Sequence, residues 1–143
     1  MRKQDHKTAI LQFSPANGGQ VVTDFVLIQD NLKFICIFVI MNIIEQNIDK
    51  LIELCLKHKV RELYIFGSIL TDKFNDSSDI DFLVQFGRVD ILEYFDNYMD
   101  FKEKLESLLN RSVDLIENQA IRNPIFRKIV DRDKKLVYER ESA

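Results

Sequence analysis

Two short stretches, set ten residues apart, limit what this chain can become. An apolar run, Leu63-Tyr64-Ile65-Phe66, ends in Gly67-Ser68. After ten further residues, Asp79-Ile80-Asp81 opens a second apolar run, Phe82-Leu83-Val84. The first run follows a charged Arg61-Glu62 and reads as a buried strand. Gly67 permits a sharp turn and a close approach of backbone to ligand. Ser68 is a good N-cap, so a helical turn can begin there and present free N–H donors suited to phosphate. The second run alternates as a strand, in which side chains i and i+2 share a face. Asp79, Asp81 and Leu83 are expected on one face, with Ile80, Phe82 and Val84 on the other. The two carboxylates would stand about 6.6 Å apart at Cβ, twice the strand rise of about 3.3 Å. Their ends can converge on one Mg²⁺, or on two ions about 3.5–4 Å apart.

Taken singly, each half has an ordinary reading. A Gly-Ser after a strand is usually only a turn, and a Ser-Asp before a strand is often only a cap. It is the joint pattern, at this spacing and in strand–turn and strand contexts, that points to chemistry.

That pattern resembles the signature of the DNA polymerase β nucleotidyltransferase superfamily, and more closely the minimal nucleotidyltransferases that form the antitoxin half of HEPN–MNT toxin–antitoxin pairs. The resemblance runs from about Asn42 to Glu139. It implies a third carboxylate on a later strand, and Asp114 in Ser112-Val113-Asp114-Leu115-Ile116 fits; alone, Asp114 would read as a solvated strand residue. One departure stands out. A small residue, an Arg and a Gly often follow the family's Gly-Ser, whereas Leu70, Thr71 and Asp72 stand here, without the phosphate contact that Arg would make. Lys73 is a candidate substitute, although a loop lysine is more often simply solvated.

The resemblance implies an activity. Asp79, Asp81 and Asp114 would be the catalytic and metal-binding residues, with Mg²⁺ (two ions) as cofactor. Gly67 and Ser68 would bind the nucleotide's phosphates, and ATP would be the donor. The acceptor would be a tyrosine hydroxyl on a HEPN-type ribonuclease toxin, a separate chain that is silenced by adenylylation. Two other readings stand beside this one: a nucleotidyltransferase acting on a small molecule of the aminoglycoside type, and a non-catalytic antitoxin that covers its partner. Few residues follow the third strand, which argues against a separate small-molecule domain; the intact aspartates argue against pure sequestration.

Composition narrows the partners. A net charge of −3 leaves no broad basic footprint for DNA or RNA. Cys36 and Cys55 lie in apolar surroundings, as buried thiols in a reducing, cytoplasmic compartment would. His6 and His58 have no Cys cluster nearby, so a zinc site is not expected. His58 sits where a helix should end, as a partner for its dipole. Phe34 to Met41 is apolar but too short to span a bilayer, which needs about 20 residues.

Along the chain, Asn17-Gly18-Gly19 marks a turn and Val21 to Ile28 a strand. Residues 1–40 read as an N-terminal extension, a translated leader if Met41 is the natural start, and 41–143 as the nucleotidyltransferase domain. Asn42 with Glu45 suggests an N-cap for a helix bearing Ile44, Ile48, Leu51 and Cys55. The loop Thr71 to Ser78 is polar, with Phe74 expected to pack on the domain edge. Asp90 with Glu93 suggests a second cap, before a helix burying Ile91, Phe95, Tyr98, Phe101, Leu105 and Leu108. Lys102 and Glu106 could pair on its outer face, and Asn110 is a left-handed stop. Asn123-Pro124 opens a last helix burying Ile125, Phe126, Ile129 and Val130. Leu136-Val137-Tyr138 is apolar but undetermined in type. The expected fold class is α+β (α/β-like): a small mixed sheet with flanking helices.

Overall fold

The computed structural model describes residues 31–71 and 73–141, with side chains from residue 38 onward. The elements are α1 (Asn31–Gln46), α2 (Ile48–Lys57), β1 (Val60–Phe66), β2 (Ile80–Phe86), α3 (Tyr94–Leu109), β3 (Val113–Glu117), α4 (Pro124–Asp133) and β4 (Lys135–Glu139). A 3₁₀ turn at Gly67–Leu70 follows β1. The expected turn at Asn17-Gly18-Gly19, the strand at 21–28, the Cys36 side chain and Asp72 lie outside the described residues. No helix among the described residues is long and apolar enough to cross a membrane.

The strands form one mixed sheet in the order β3-β2-β1-β4. β1 pairs antiparallel with β2 and β4, and β2 pairs parallel with β3. The undetermined Leu136-Val137-Tyr138 is thus the heart of an edge strand. Residue alternation divides the sheet into two faces. Leu63, Ile65, Ile80, Phe82, Val84 and Leu115 belong to the main core under α1, α2 and α3. Phe66 and Leu83 pack with Val130 of α4, with Tyr64 and Ile116 against them, in a smaller cluster on the other face. Burying one such aliphatic or aromatic side chain contributes about 1.5–3 kcal/mol, so the larger cluster sets the fold and the smaller one positions α4.

Several sequence expectations are corrected. Asn42 does not cap a helix, because α1 runs through it. The stretch from Phe34 has no Gly or Pro to stop it, and Ile40 and Ile44, one turn apart, are both buried in the main core. The chain breaks instead at Asn47, whose Nδ2 donates to the Ile43 carbonyl at 2.8 Å. Helix α3 begins at Tyr94, four residues after Asp90. Asp90 makes a local turn by accepting from Leu92 N at 2.9 Å, which leaves Ile91 and Phe95 exposed. Glu106 reaches for Val113 N at 2.9 Å, closing the link to β3. Asn110 ends α3 in the left-handed region, φ 52°, as expected.

In α4, Asn123 caps as expected, accepting from Ile125 N and Phe126 N at 2.9 and 3.2 Å, with Pro124 at the first position. Only Val130 of its expected inner face is buried, while Ile125, Phe126 and Ile129 are exposed. The small cluster is too narrow to cover a full helical stripe. Phe74 packs as expected, buried beneath the Arg111 guanidinium at 4.6 Å. Arg111 also donates to the Asn75 carbonyl at 3.1 Å, which fastens the loop to the start of β3.

Candidate active site

The strand registers bring two of the three predicted carboxylates, Asp81 and Asp114, into one row. Phe66 of β1 lies opposite Asp81 of β2, and Asp81 lies opposite Asp114 of β3. Opposite residues in a sheet point to the same face, so both carboxylates rise from the face carrying the smaller cluster. The next row on that face, Tyr64-Leu83-Ile116, is its apolar floor. Sheet order matters here. A parallel β2–β3 pair brings the beginnings of both strands together, and the antiparallel β1 delivers its end to the same edge.

The turn after β1 closes over Asp81. Gly67 adopts φ +79°, where a side chain is strained, and a Cβ there would stand 2.2 Å from Asp81 Oδ2. The Ser68 backbone N–H donates to the Asp81 carboxylate. Thr71 holds the turn shut: its hydroxyl donates to the Ser68 carbonyl at 2.7 Å and its N–H at 2.9 Å. At the position where an Arg was expected, Thr71 thus supplies a closing bond in place of a cation. Lys73 is exposed nearby.

Electrostatics set Asp81 apart. Burial pushes its carboxyl above the usual range, the Ser68 N–H pulls it back, and the charges of Asp114 and Asp79 raise it further. Asp79 stands just before β2 and is exposed. Among the described residues no three acidic, His or Cys side chains are already close enough to enclose an ion. Still, the donor set suits a hard cation. Asp81 and Asp114 offer adjacent carboxylate oxygens and Asp79 is close enough to be felt by Asp81, so a cation there would relieve a repulsion that the fold builds in.

A cavity of about 390 Å³ opens beside this row. Gly67, Asp81 and Asp114 form its polar side, and Phe126, Ile129 and Val130 of α4 form an apolar wall. Phe126 is held edge-on to Phe66, with ring centroids 6.1 Å apart. Asp133, at the end of α4, completes the lining. The sequence reading missed Thr71, Phe126, Ile129 and Asp133 as site residues. The only sequence sign was that α4 carries more apolar residues than a thin core could absorb. A larger hollow of about 650 Å³, walled by Lys59, Arg61, Glu139 and Arg140, lies where β1 begins and β2 and β4 end. It lacks both the carboxylate pair and the N–H turn, so the chemistry belongs to the smaller cavity.

The buried His58 faces two acceptors, the Leu54 carbonyl at 2.9 Å from Nδ1 and Asp100 Oδ2 at 2.6 Å from Nε2. It joins the end of α2 to α3 and takes no part in the site.

Comparison with known proteins bears on this geometry. Residues 49–143 match the profile of the family described as Polymerase beta, Nucleotidyltransferase. A putative protein adenylyltransferase of Methanocaldococcus jannaschii is 35% identical over 57% of this chain and 79% of its own length. The protein adenylyltransferase MntA of Thermococcus cleftensis is 32% identical over 54% of this chain and 76% of its own length. The solved structure of a putative minimal nucleotidyltransferase superposes with a TM-score of 0.53 at 26% identity, covering 64% of this chain and 90% of that one.

Proposed function

This chain belongs to the polymerase beta nucleotidyltransferase family, and from that premise we propose that it is a protein adenylyltransferase moving AMP from ATP onto a hydroxyl of a partner protein. The observation that carries the reading is the row Asp81–Asp114 beside the Gly67-Ser68 turn, opening on one cavity. The names of the Methanocaldococcus and Thermococcus relatives support protein as the acceptor class. The acceptor we favour is a tyrosine of a HEPN ribonuclease toxin, which the modification would silence, in the cytoplasm where ATP is at hand.

The chemistry is an in-line displacement at the α-phosphorus of ATP. The acceptor oxygen forms a bond to that phosphorus, the bond to the bridging oxygen breaks, and pyrophosphate leaves. Asp79, Asp81 and Asp114 would hold magnesium, which when bound supplies charge neutralisation for the phosphates and a more acidic acceptor hydroxyl. The chain's own groups do the positioning. The backbone of the Gly67-Ser68 turn and the Ser68 hydroxyl would grip the outer phosphates, the Ser68 N–H being shared with Asp81. Gly67, lacking a side chain, lets them approach Asp81. Asp114, exposed at the rim, would accept the proton of the incoming hydroxyl and release it to solvent. Phe126 and Ile129 offer an apolar wall for the base, so charged and apolar ends of one nucleotide find matching sides of one cavity. Positioning and charge neutralisation account for most of the acceleration in phosphoryl transfer.

The test is to incubate the protein with a HEPN-type toxin, ATP and Mg²⁺ and to weigh the toxin by mass spectrometry. A gain of AMP on tyrosine, absent with Asp81→Asn or with EDTA, is expected. An unmodified toxin that is nevertheless neutralised would replace catalysis with sequestration.

A further inference from the structure

Register fixes Asp81 against Asp114, but it does not reach Asp79. The β2–β3 pairing begins at Ile80 and Val113 and leaves Asp79 one residue outside the ladder. Asp79 is also exposed, so its backbone, more than packing, sets where its carboxylate starts. That backbone is fastened on both sides. Before it, residues 75–78 close on themselves. The Ser78 N–H donates to the Asn75 carbonyl and the Asn75 N–H to Ser78 Oγ, both at 3.0 Å, and Asn75 Oδ1 accepts from Ser77 N at 2.9 Å. After it, the Ile80 N–H donates to the Ser112 carbonyl at 3.0 Å.

Arg111 joins the first fastening to the second. Its Nη2 donates to the Asn75 carbonyl at 3.1 Å and stands 3.7 Å from Asp76 Oδ1, while its guanidinium covers the Phe74 ring. Its own base is held by Glu106: the Arg111 N–H donates to the Glu106 carbonyl at 3.2 Å, and Glu106 Oε1 accepts from Val113 N at 2.9 Å. One short stretch, Arg111 to Asp114, therefore carries one carboxylate and grips the chain on which another is mounted. Packing alone does not call for an arginine here. Its Nη1 is buried with no hydrogen-bond partner among the described residues, and an unpaired buried donor costs stability. A methionine would cover Phe74 without that cost, and replacing a buried charge by an apolar group is often neutral or stabilising. What methionine cannot do is hold the Asn75 carbonyl. Arg111 does not line the site cavity, so any effect on the site passes through Asp79.

We propose that Arg111 is a positioning residue for Asp79: by pinning the 75–78 turn to the start of β3, it sets how Asp79 stands towards the Asp81–Asp114 pair. The consequence for a cation rests on the reading above, in which the three aspartates hold magnesium.

The test measures Mn²⁺ binding to the full chain without nucleotide, following the free ion by electron paramagnetic resonance. Asp79→Asn and Arg111→Met should each weaken binding by about tenfold, the lower end of the range for groups that orient a metal ligand. The double variant should also lose about tenfold, whereas independent effects would multiply to about 100-fold. Arg111→Lys, which keeps a donor for Asn75, should recover most of the lost affinity. The Tm of Arg111→Met without metal should stay near that of the wild type. Asn75→Ala, at an exposed position, loosens the same turn with Arg111 in place and should weaken Mn²⁺ binding as well, which keeps the test open should Arg111→Met fail to fold. Wild-type affinity in Arg111→Met, or in Asn75→Ala if the former does not fold, would overturn the proposal and leave the transferase reading standing. Multiplied losses in the double variant, or a Lys variant no better than the Met one, would do the same. A wild type that binds no Mn²⁺ would remove the cation reading and this proposal with it.

Discussion

Gly67 and Asp81 occupy each other's space: a methyl group at position 67 would stand 2.2 Å from Asp81 Oδ2. The turn that is to hold phosphate and the carboxylate that is to hold a cation are therefore fitted to one another before any ligand arrives. Gly67→Ala should cost about 1–2 kcal/mol from the left-handed backbone alone. It should also displace Asp81 and lower transfer by about 10- to 100-fold, on the scale of disturbed metal sites. Thermal unfolding and an AMP-transfer assay on one preparation would check both.

Asp81→Asn should separate stability from activity. The carboxyl's folded value is raised, first by burial and then by Asp114 and Asp79. The stability it contributes is thus present below the unfolded value of about 4 and is lost as pH rises through the folded value. The neutral amide should make the metal-free protein more stable at pH 7, flatten this part of the pH profile and abolish transfer. Added Mg²⁺ should raise the Tm of the wild type and leave that of the variant unmoved.

Asp100 should govern the acid side with the opposite sign. Its hydrogen bond from His58, with the charges of His58, Lys104 and Lys57, holds it below the usual carboxylate range. Its contribution is present above the unfolded value of about 4 and lost as pH falls through the folded one. Asp100→Asn should remove part of the loss of Tm between pH 5 and pH 3, estimates that bracket the ordinary Asp value, and leave transfer at neutral pH intact.

Phe126→Ala tests the apolar wall. Base–aromatic stacking is worth about 1–3 kcal/mol, so the KM for ATP should rise by about 5- to 100-fold, with little change in Tm because the ring is partly exposed. An unchanged KM would mean that the base lies elsewhere.

Helix α1 crosses residue 41 without interruption, and Ile40 is buried at 1% exposure. A chain beginning at Met41 should fold and keep the site, since Asp81, Asp114 and Gly67 all lie later. It should lose the burial of Ile40, about 1.5–3 kcal/mol, visible as a lowered denaturant midpoint.

The local part of this molecule was legible in the chain. Strand alternation placed Asp81 on the face opposite Ile80 and Phe82, the Gly-Ser pair marked the tight turn, Asn110 and Asn123 marked helix ends, and the strand around Asp114 was visible from its apolar flanks. Each depends on neighbours a few residues away, which is the range over which backbone sterics and side-chain periodicity act. What only tertiary structure decided is what meets what. Register set Asp81 beside Asp114, 33 positions apart. Packing ran α1 through Asn42, because Ile40 had core to reach, and left Phe95 and Phe126 uncovered, because Phe101, Leu105 and Leu109 already fill the core beneath α3 and the cluster beneath α4 reaches no further than Val130. An apolar stripe shows that a helix has something to bury; whether a core, a nucleotide or another protein covers it depends on the volume that distant segments leave free.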